Sequence, residues 1–289
     1  MTDSAPDVRP ASGSSSPESG SEDARRALAA GVAPRRFGAF YILEHRIRAL
    51  RGYALSAVMT SLGNPIVYLF ALGVGLASLV PGGIAGVSYL EFVAPALLCT
   101  AAMTFAANET TYPIVAGFKW NPIFHGMNAS PITGRQIVHG TMMFIALRMV
   151  FDVGVYYAVI LAFGAVPSPW GVLTVAIAVL TGMAIGLLIS SYSATLKDER
   201  GQLAMVMRFG FTPMFLFSGT FFPLSELPPS LQPIGWISPL WHGVELGRFV
   251  SYGQPIEPWL IAVHIGYLVS IVVIGLWSTS RTVTRRLAG

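Results

Sequence analysis

Long stretches without charge alternate with short charged connections along this chain. No charged residue lies between Arg51 and Glu91, or between Asp152 and Lys197. About 20 apolar residues suffice to cross a bilayer as a helix, and the turn-forming segment 164–171 divides the second of these stretches. The pattern therefore predicts six transmembrane helices, placed at about 53–80, 90–115, 136–163, 170–195, 202–222 and 258–279.

The segment before the first span has a helical repeat. Apolar residues lie on one side of it and charged residues on the other, namely Phe40, Leu43, Ile47 and Leu50 against Glu44, Arg48 and Arg51. This pattern predicts an amphipathic helix in the membrane interface over 34–51. Residues 1–33 are rich in Ser, Pro, Gly and acidic residues, which predicts a disordered cytoplasmic tail before a transmembrane domain at 34–289.

The stretch 215–248 fits neither a soluble loop nor a simple span. It combines apolar and aromatic side chains with several prolines, each of which removes a backbone donor and clashes with the preceding helical turn. A short helix or re-entrant hairpin at one membrane face satisfies both features.

Composition decides the fold class. The chain is 53% hydrophobic and 11% charged, whereas soluble domains carry about 25% charged residues. We therefore expect an all-α, polytopic membrane protein. The basic residues flank apolar spans instead of forming one patch, so no nucleic-acid partner is predicted, and Cys99 as the only cysteine excludes an internal disulfide.

The lysines and arginines predict the orientation. They precede the first span, flank the second and fourth connections and follow the last span, while the first and third connections contain none. By the positive-inside rule both termini and these basic connections are cytoplasmic, and the segment 223–257 faces outward.

The loop 118–135 is more specific than a hydrophilic connector. We expect Asn121 to cap a short helix that begins at Pro122. Its apolar residues would form a cytoplasmic surface for a partner or for lipid: Phe118, Trp120, Ile123, Phe124 and Met127. The second basic connection, Lys197, Asp198, Glu199 and Arg200, is expected to be a solvated link between helices.

Glu109, Arg148 and Asp152 lie well inside predicted spans, where charged residues are functional candidates. Arg148 and Asp152 are four residues apart and can pair on one helical face, either as a neutralised packing pair or as a polar spot on a transport path. Glu109 lies where Arg135 could reach it. Gly182, Gly186 and Ser190 form a small-residue stripe suited to close helix packing.

Several chemistries are missing from the sequence. Lys119 follows Phe118 and Lys197 follows Leu196, so the chain has no P-loop. His242 and Glu245 share a helical face by spacing, but two ligands do not make a metal site. We predict no metal site, and read that pair as hydrogen-bonded groups at the interface.

The order of these features carries a resemblance. An amphipathic helix, six spans, a helical first cytoplasmic loop and a proline-rich outer segment, with the motifs Pro65–Gly75, Lys119-Trp120, His125–Thr133 and Phe217–Pro223, resemble type-2 ABC exporter permeases. The chain is most similar to the branch of nodulation lipo-oligosaccharide and drug-resistance exporters. It departs from relatives at His139-Gly-Thr, where an acidic residue often follows the glycine.

The resemblance implies a dimer with an identical or related permease chain and separate ATPase subunits that bind ATP and Mg, with no cofactor on this chain. Phe118, Lys119, Trp120, Ile123, Phe124 and Met127 would belong to the coupling helix that docks into the ATPase. The outer gate would contain Phe221, Phe222, Pro223, Trp236, Trp241 and Glu245.

We therefore expect a non-enzymatic permease subunit in the bacterial plasma membrane that exports an amphipathic or lipid-like substrate, either a drug or a lipo-oligosaccharide. An ion-coupled secondary transporter using Glu109, Arg148 or Asp152 is the main alternative. A membrane enzyme acting on lipid-linked substrates through the outward residues Glu226, His242, Glu245 and Glu257 is a further alternative.

Overall fold

A computed structural model describes residues 31–56 and 82–289, with isolated positions at 22, 24–26, 28–29, 59, 66–67, 69–71 and 75. Most of the predicted tail 1–33 and of the predicted first span 53–80 lies outside the described residues. The described part of the chain is helical and contains no β-strand, which confirms the all-α class; its only β-type pairing is an isolated bridge between Ile84 and Val87.

Within the described residues, four continuous helical stretches are long and apolar enough to cross a membrane: Tyr89–Phe118, Gly134–Ala162, Pro169–Ser193 and Pro258–Ala288. They correspond to the second, third, fourth and sixth predicted spans. The first contains α2 (Tyr89–Thr110) and α3 (Tyr112–Phe118), the second is α5 (Gly134–Ala162), the third contains α6 (Leu173–Ser193), and the last is α11 (Pro258–Ala288).

The starts of α2 and α5 follow from their sequences. Ser88 and Glu91 form a reciprocal capping box at the first helix, as Thr133 and Gln136 do at the second. These caps satisfy backbone donors that a helix start leaves without partners. α2 ends before Pro113, whose ring nitrogen cannot donate a hydrogen bond to the carbonyl four residues earlier.

The fifth predicted span, 202–222, is shorter in the structure. α7 (Gln202–Met205), a π-helical segment (Val206–Phe211) and α8 (Thr212–Phe217) make one apolar stretch of about 24 Å. It ends because Gly219 takes a left-handed φ of 71°. Just before it, Ser218 Oγ bonds to Met214 O and Ser238 Oγ.

The amphipathic helix is α1, Val32–Leu50, and it packs along α5. Leu43, Ile47 and Leu50 are partly buried as predicted, but the centre of the contact is Ile42, which is 3% exposed, while Phe40 is 58% exposed. A β-carbon at Gly140 would lie 2.3 Å from Ala39 O and 2.6 Å from Ile42 Cβ. The glycine at the departure noted above, His139-Gly-Thr, therefore permits this close approach.

Two glycines of the small-residue stripe do pack closely, as predicted. A β-carbon on Gly182 would lie 2.8 Å from Ala102 O, and one on Gly186 would lie 3.0 Å from Ala106 Cβ. α6 therefore crosses α2 with its backbone close, and the main core of the protein lies around this crossing.

The proline-rich stretch forms short helices. A 3₁₀ turn (Leu224–Glu226) is followed by α9 (Gln232–Ile237) and α10 (Pro239–Tyr252). Pro233 and Pro239 occupy the first turns of α9 and α10, where a missing backbone donor costs nothing. The prediction of short helices over this stretch is confirmed.

α10 is more deeply buried than a surface hairpin would be. Leu240 and Val244 are fully buried. A β-carbon on Gly243 would lie 2.0 Å from Thr181 Oγ1 of α6, and one on Gly247 would lie 3.1 Å from Pro95 Cβ of α2. Gly243 and Gly247 form a Gly-x-x-x-Gly motif, which lets helices approach closely, and which wedges α10 between α2 and α6.

Candidate functional site

The loop 118–135 lies at the same end of the molecule as α1 and the C-terminus, and we call this end the basic end. It contains α4 (Ile123–Asn128), which starts one residue later than predicted. Its N-cap position is Pro122 with no side-chain cap, so the prediction that Asn121 caps this helix is wrong.

The aromatic residues of this loop divide into two groups. Phe118 and Phe124 are 6% and 3% exposed and meet edge to face at 5.1 Å, and Gly117 leaves room for the Phe124 ring. The prediction that both rings form an exposed surface is therefore wrong. Trp120 is 55% exposed and stacks beside Tyr112, whereas Ile123 and Met127 pack partly against the core.

The exposed surface of this loop therefore differs from the predicted one. It consists of His125 and Gly126 of α4 together with exposed residues of the segment just before α4: Lys119, Trp120, Asn121 and Pro122. A β-carbon on Gly126 would meet nothing within 4 Å. The buried Phe124 fixes the helix to the core, and this exposed face can receive a partner.

Arg286 near the end of α11 joins several elements at the basic end, which the sequence did not suggest. It donates hydrogen bonds to Ala194 O (3.0 Å) and Leu196 O (2.7 Å), just after the end of α6. Its guanidinium lies 3.9 Å from the centre of the Phe118 ring. α11 reaches this position because it continues to Ala288, beyond the predicted end at 279.

The loop 197–200 is more than a solvated link. Lys119 and Asp198 form an ion pair between the two loops of the basic end, and Arg200 approaches the same carboxylate at 3.8 Å. The hydrogen bond and charge of Lys119 lower the pKa of Asp198. The pair therefore persists at neutral pH and is lost only as the pH falls through this lowered value. Glu199 accepts hydrogen bonds from Gly201 N and Leu203 N at the start of α7, while Lys197 is exposed.

Glu109, Arg148 and Asp152 meet inside the helical bundle. Arg148 lies 3.2 Å from Glu109 Oε1 and 3.7 Å from Asp152 Oδ2. The predicted pairing of Arg148 with Asp152 is confirmed, whereas the expectation that Arg135 reaches Glu109 is wrong because Arg148 holds that carboxylate. The three side chains are 14–20% exposed, so pairing lowers the cost of placing them in the membrane.

The opposite end contains the residues assigned to the outer gate. Phe221 packs edge to face on Phe215 at 5.1 Å, and Phe222 is half-buried. A cavity of about 370 Å³ lies beside them. Its walls include Phe92, Pro223, Trp236, Trp241, Glu245 and Arg248. The structure thus brings four of the six predicted gate residues to one cavity.

Arg248 forms part of the wall of this cavity and is 1% exposed. Its guanidinium donates to Gly219 O at 2.6 Å and to Glu245 Oε1 at 3.3 Å, and stacks 3.7 Å from the centre of the Phe92 ring. The other carboxylate oxygen of Glu245 accepts a hydrogen bond from Gln254 Nε2 at 2.6 Å. The sequence analysis assigned no role to Arg248, and this cluster of contacts was not predicted.

His242 and Glu245 do not share a site. His242 Nδ1 lies 2.7 Å from Nδ1 of His264 in α11, and His242 Nε2 lies 3.0 Å from Trp236 O. That carbonyl requires a proton on His242 Nε2, so His264 Nδ1 donates to His242 Nδ1 when both rings are neutral. Among the described residues no group of three or more His, Cys, Asp or Glu side chains could hold a metal ion.

Comparisons with known proteins agree with this architecture. The sequence profile of a family described as ABC-2 type transporter matches residues 41–252. Nodulation protein J of Neorhizobium galegae is 31% identical over 241 residues, covering 83% of this chain and 90% of the relative. Nodulation protein J of Rhizobium meliloti is 30% identical over 248 residues, with 83% and 90% covered, and that of Rhizobium leguminosarum bv. viciae is 29% identical over 237 residues, with 81% and 89% covered.

Proposed function

Because the chain belongs to the ABC-2 type transporter family, we propose that it is the membrane-spanning permease subunit of an ATP-driven exporter. The chain is a multi-pass membrane protein and neither of its lysines follows a glycine. ATP and Mg would therefore bind to a separate P-loop ATPase. The basic end would lie in the cytoplasm of a bacterial cell, below the inner membrane.

This proposal rests on the way in which α4 is attached to the rest of the protein. An ATPase subunit can move a permease only through a rigid contact. His125 and Gly126 of α4 and Trp120 just before it are exposed, while the buried Phe124 anchors α4 to the core. A displacement of α4 would be transmitted to α3 through the contact of Phe124 with Phe118, and to α11 through the contact of Phe118 with Arg286. The Lys119–Asp198 pair would carry it to the loop before α7.

Gly126 offers a test of docking that spares the fold. Gly126→Trp adds a large side chain on the exposed face, where a β-carbon meets no neighbour within 4 Å. Gly266→Trp is the matched control, because Gly266 is also exposed and helical with open space around it, but lies in α11. We expect co-purification of the ATPase to fall at least about tenfold in the first variant, the loss that about 1.4 kcal/mol of binding energy produces.

The two variants together make this test decisive. Equal recovery of the ATPase with both would exclude α4 as the docking element. Equal loss with both, accompanied by aggregation, would mean that the substitutions disturb folding, and His125→Asp, a smaller change on the same exposed face, then decides the matter. Unchanged co-purification of the ATPase with His125→Asp would also count against docking at α4.

The exported molecule is proposed to be amphipathic, either a drug or a lipo-oligosaccharide. The apolar spans suit its lipid-like part, and the opposite end, with Trp236 and Trp241 at the cavity, would be the outer gate. A second permease copy would complete the path. Transport assays in vesicles test this substrate class. Export of acylated compounds but not of water-soluble ones would support it, and the reverse preference would contradict it.

A further inference from the structure

The cavity at the opposite end is built from segments far apart in the chain. Phe92 comes from α2, Pro223 from the turn after α8, and Trp236, Trp241 and Glu245 from α9 and α10. Its volume of about 370 Å³ lies in the range of small-ligand pockets, which is about 300–1,000 Å³. A site assembled from several elements in this way can fix the orientation of a ligand.

The charges around the cavity cancel. Among the described residues, Glu245 and Arg248 are the charged residues that line it, and they lie 3.3 Å apart as an ion pair. Arg248 also donates to Gly219 O and Phe92 O, so its guanidinium is committed to the protein. An ionic ligand would have to break this pair, and separating the partners of a buried ion pair is strongly unfavourable. The cavity therefore favours a neutral ligand.

Uncharged polar groups supplement the ion pair. Gln254, Gln232 and Ser225 line the cavity, and they provide amide and hydroxyl groups that both donate and accept hydrogen bonds. Glu245 Oε2 adds an acceptor near Gln254. A ligand with several hydroxyls could bond to this set without any change in protonation.

Two indole rings supply the apolar part. Trp236 is 52% exposed and Trp241 is partly buried, and both line the cavity. Tryptophan combines a broad apolar face with a single polar N–H. A pyranose ring has the complementary shape, since its C–H groups form an apolar face and its hydroxyls point outward from the edge.

We propose that this cavity binds a neutral sugar ring of the molecule that the protein exports. The inference rests on the proposed export function and specifies which part of the substrate meets the outer gate. The sugar would stack on Trp236 or Trp241 and exchange hydrogen bonds with Glu245 and Gln254. The ion pair of Glu245 with Arg248 would position the carboxylate, so Arg248 acts as a positioning residue.

The test uses the full chain labelled with 5-fluorotryptophan in lipid nanodiscs. Its six tryptophans give separate ¹⁹F signals, and those of Trp236, Trp241 and Trp259 are assigned by single Trp→Phe changes. Cellobiose and N,N′-diacetylchitobiose are titrated as neutral sugars, glucuronic acid as a charged sugar and phosphocholine as a lipid headgroup. We expect saturable shifts of the Trp236 and Trp241 signals with the neutral sugars, and an unshifted signal from Trp259, which is 65% exposed and does not line the cavity.

Two variants test the assigned contacts. Gln254→Ala removes one hydrogen-bonding group from the rim and should weaken sugar binding about threefold to tenfold, the effect of one hydrogen bond of roughly 0.5–1.5 kcal/mol. Trp236→Ala should weaken it further, while Trp259→Ala should leave it unchanged. Equal binding in all three variants would overturn the assignment.

The probes also separate this inference from the export proposal. Shifts produced only by phosphocholine would replace the sugar site by a lipid-headgroup site, and shifts produced only by glucuronic acid would refute the neutral character of the cavity. ATP-dependent export without any sugar-induced shift would overturn the sugar site and leave the exporter standing. Saturable sugar shifts in a protein that exports nothing would uphold the site and contradict the exporter.

Discussion

The buried arginine of α10 gives the sharpest test of how the outer segment is held. Arg248→Met keeps much of the apolar volume but removes the guanidinium. The Gly219 carbonyl loses a charged donor at 2.6 Å, the Phe92 ring loses a cation at 3.7 Å, and Glu245 loses its ion-pair partner. Removing one partner of a buried charge pair costs about 3–5 kcal/mol, so we expect a destabilisation of this size.

Cys99 provides the assay without any engineering. It is the only cysteine of the chain and is fully buried in α2, so a thiol-reactive dye labels it only when the bundle opens. Since 1.4 kcal/mol is a factor of ten in an equilibrium constant, Arg248→Met should accelerate labelling at least about a hundredfold. Arg281→Met is the control, because Arg281 is exposed near the end of α11, and its labelling rate should stay within about threefold of the original.

A double-mutant cycle identifies the pairwise part of this effect. Glu245→Gln alone leaves Arg248 bonded to the carbonyls of Gly219 and Phe92, so it should cost less than Arg248→Met. The two changes together should cost less than their sum by about 0.5–3 kcal/mol. Labelling of Arg248→Met at the original rate, or strict additivity of the two changes, would refute the reasoning about this ion pair.

Three further changes test the packing elsewhere. Gly140→Val should destabilise the protein by about 1–3 kcal/mol and raise hydrogen exchange in α1, because its β-carbon would lie 2.3 Å from Ala39 O; unchanged exchange would show that α1 is not packed there. Phe124→Ala should lower the midpoint of unfolding by removing about 3–5 kcal/mol, and a midpoint equal to the original would mean that the ring is not buried. Arg148→Met should speed labelling of Cys99 far more than Asp152→Asn does, since only the former leaves two carboxylates without the guanidinium; equal rates would contradict this.

The sequence was most informative about the long helices. Apolar stretches with few charges identified four membrane-crossing helices among the described residues, and the start of each to within about three residues. The C-terminal ends of the helices were predicted less accurately. The predicted last span stopped at 279, just before Arg281, whereas α11 continues to Ala288. Arg286, near the C-terminal end of α11, donates hydrogen bonds to backbone carbonyls just after the end of α6. These contacts join distant parts of the chain and are visible only in three dimensions.

The candidate sites were predicted less completely, because contacts between distant parts of the chain decide which side chains are buried. An apolar run in a loop does not reveal which side chains turn inward, and Phe118 and Phe124 proved to be buried while Trp120 is exposed. The motif Gly243-x-x-x-Gly247 was visible in the sequence and would have predicted that α10 packs closely on its neighbours.

Arg248 shows a further limit of sequence reasoning. Its partners Phe92 and Gly219 are 156 and 29 residues away along the chain. No local pattern connects positions so far apart, so the buried ion-pair cluster in the cavity wall could not be inferred from sequence.

ATP-dependent transport is the central claim, and inverted membrane vesicles that contain the chain with its co-purifying ATPase test it most directly. The measurement is the uptake of radiolabelled amphipathic compounds, including a lipo-oligosaccharide, with and without ATP and with and without an uncoupler. We expect uptake that requires ATP and persists after the proton gradient has been collapsed. Uptake that proceeds without ATP and stops when the uncoupler is added would contradict it and would favour ion-coupled transport through the cluster of Glu109, Arg148 and Asp152.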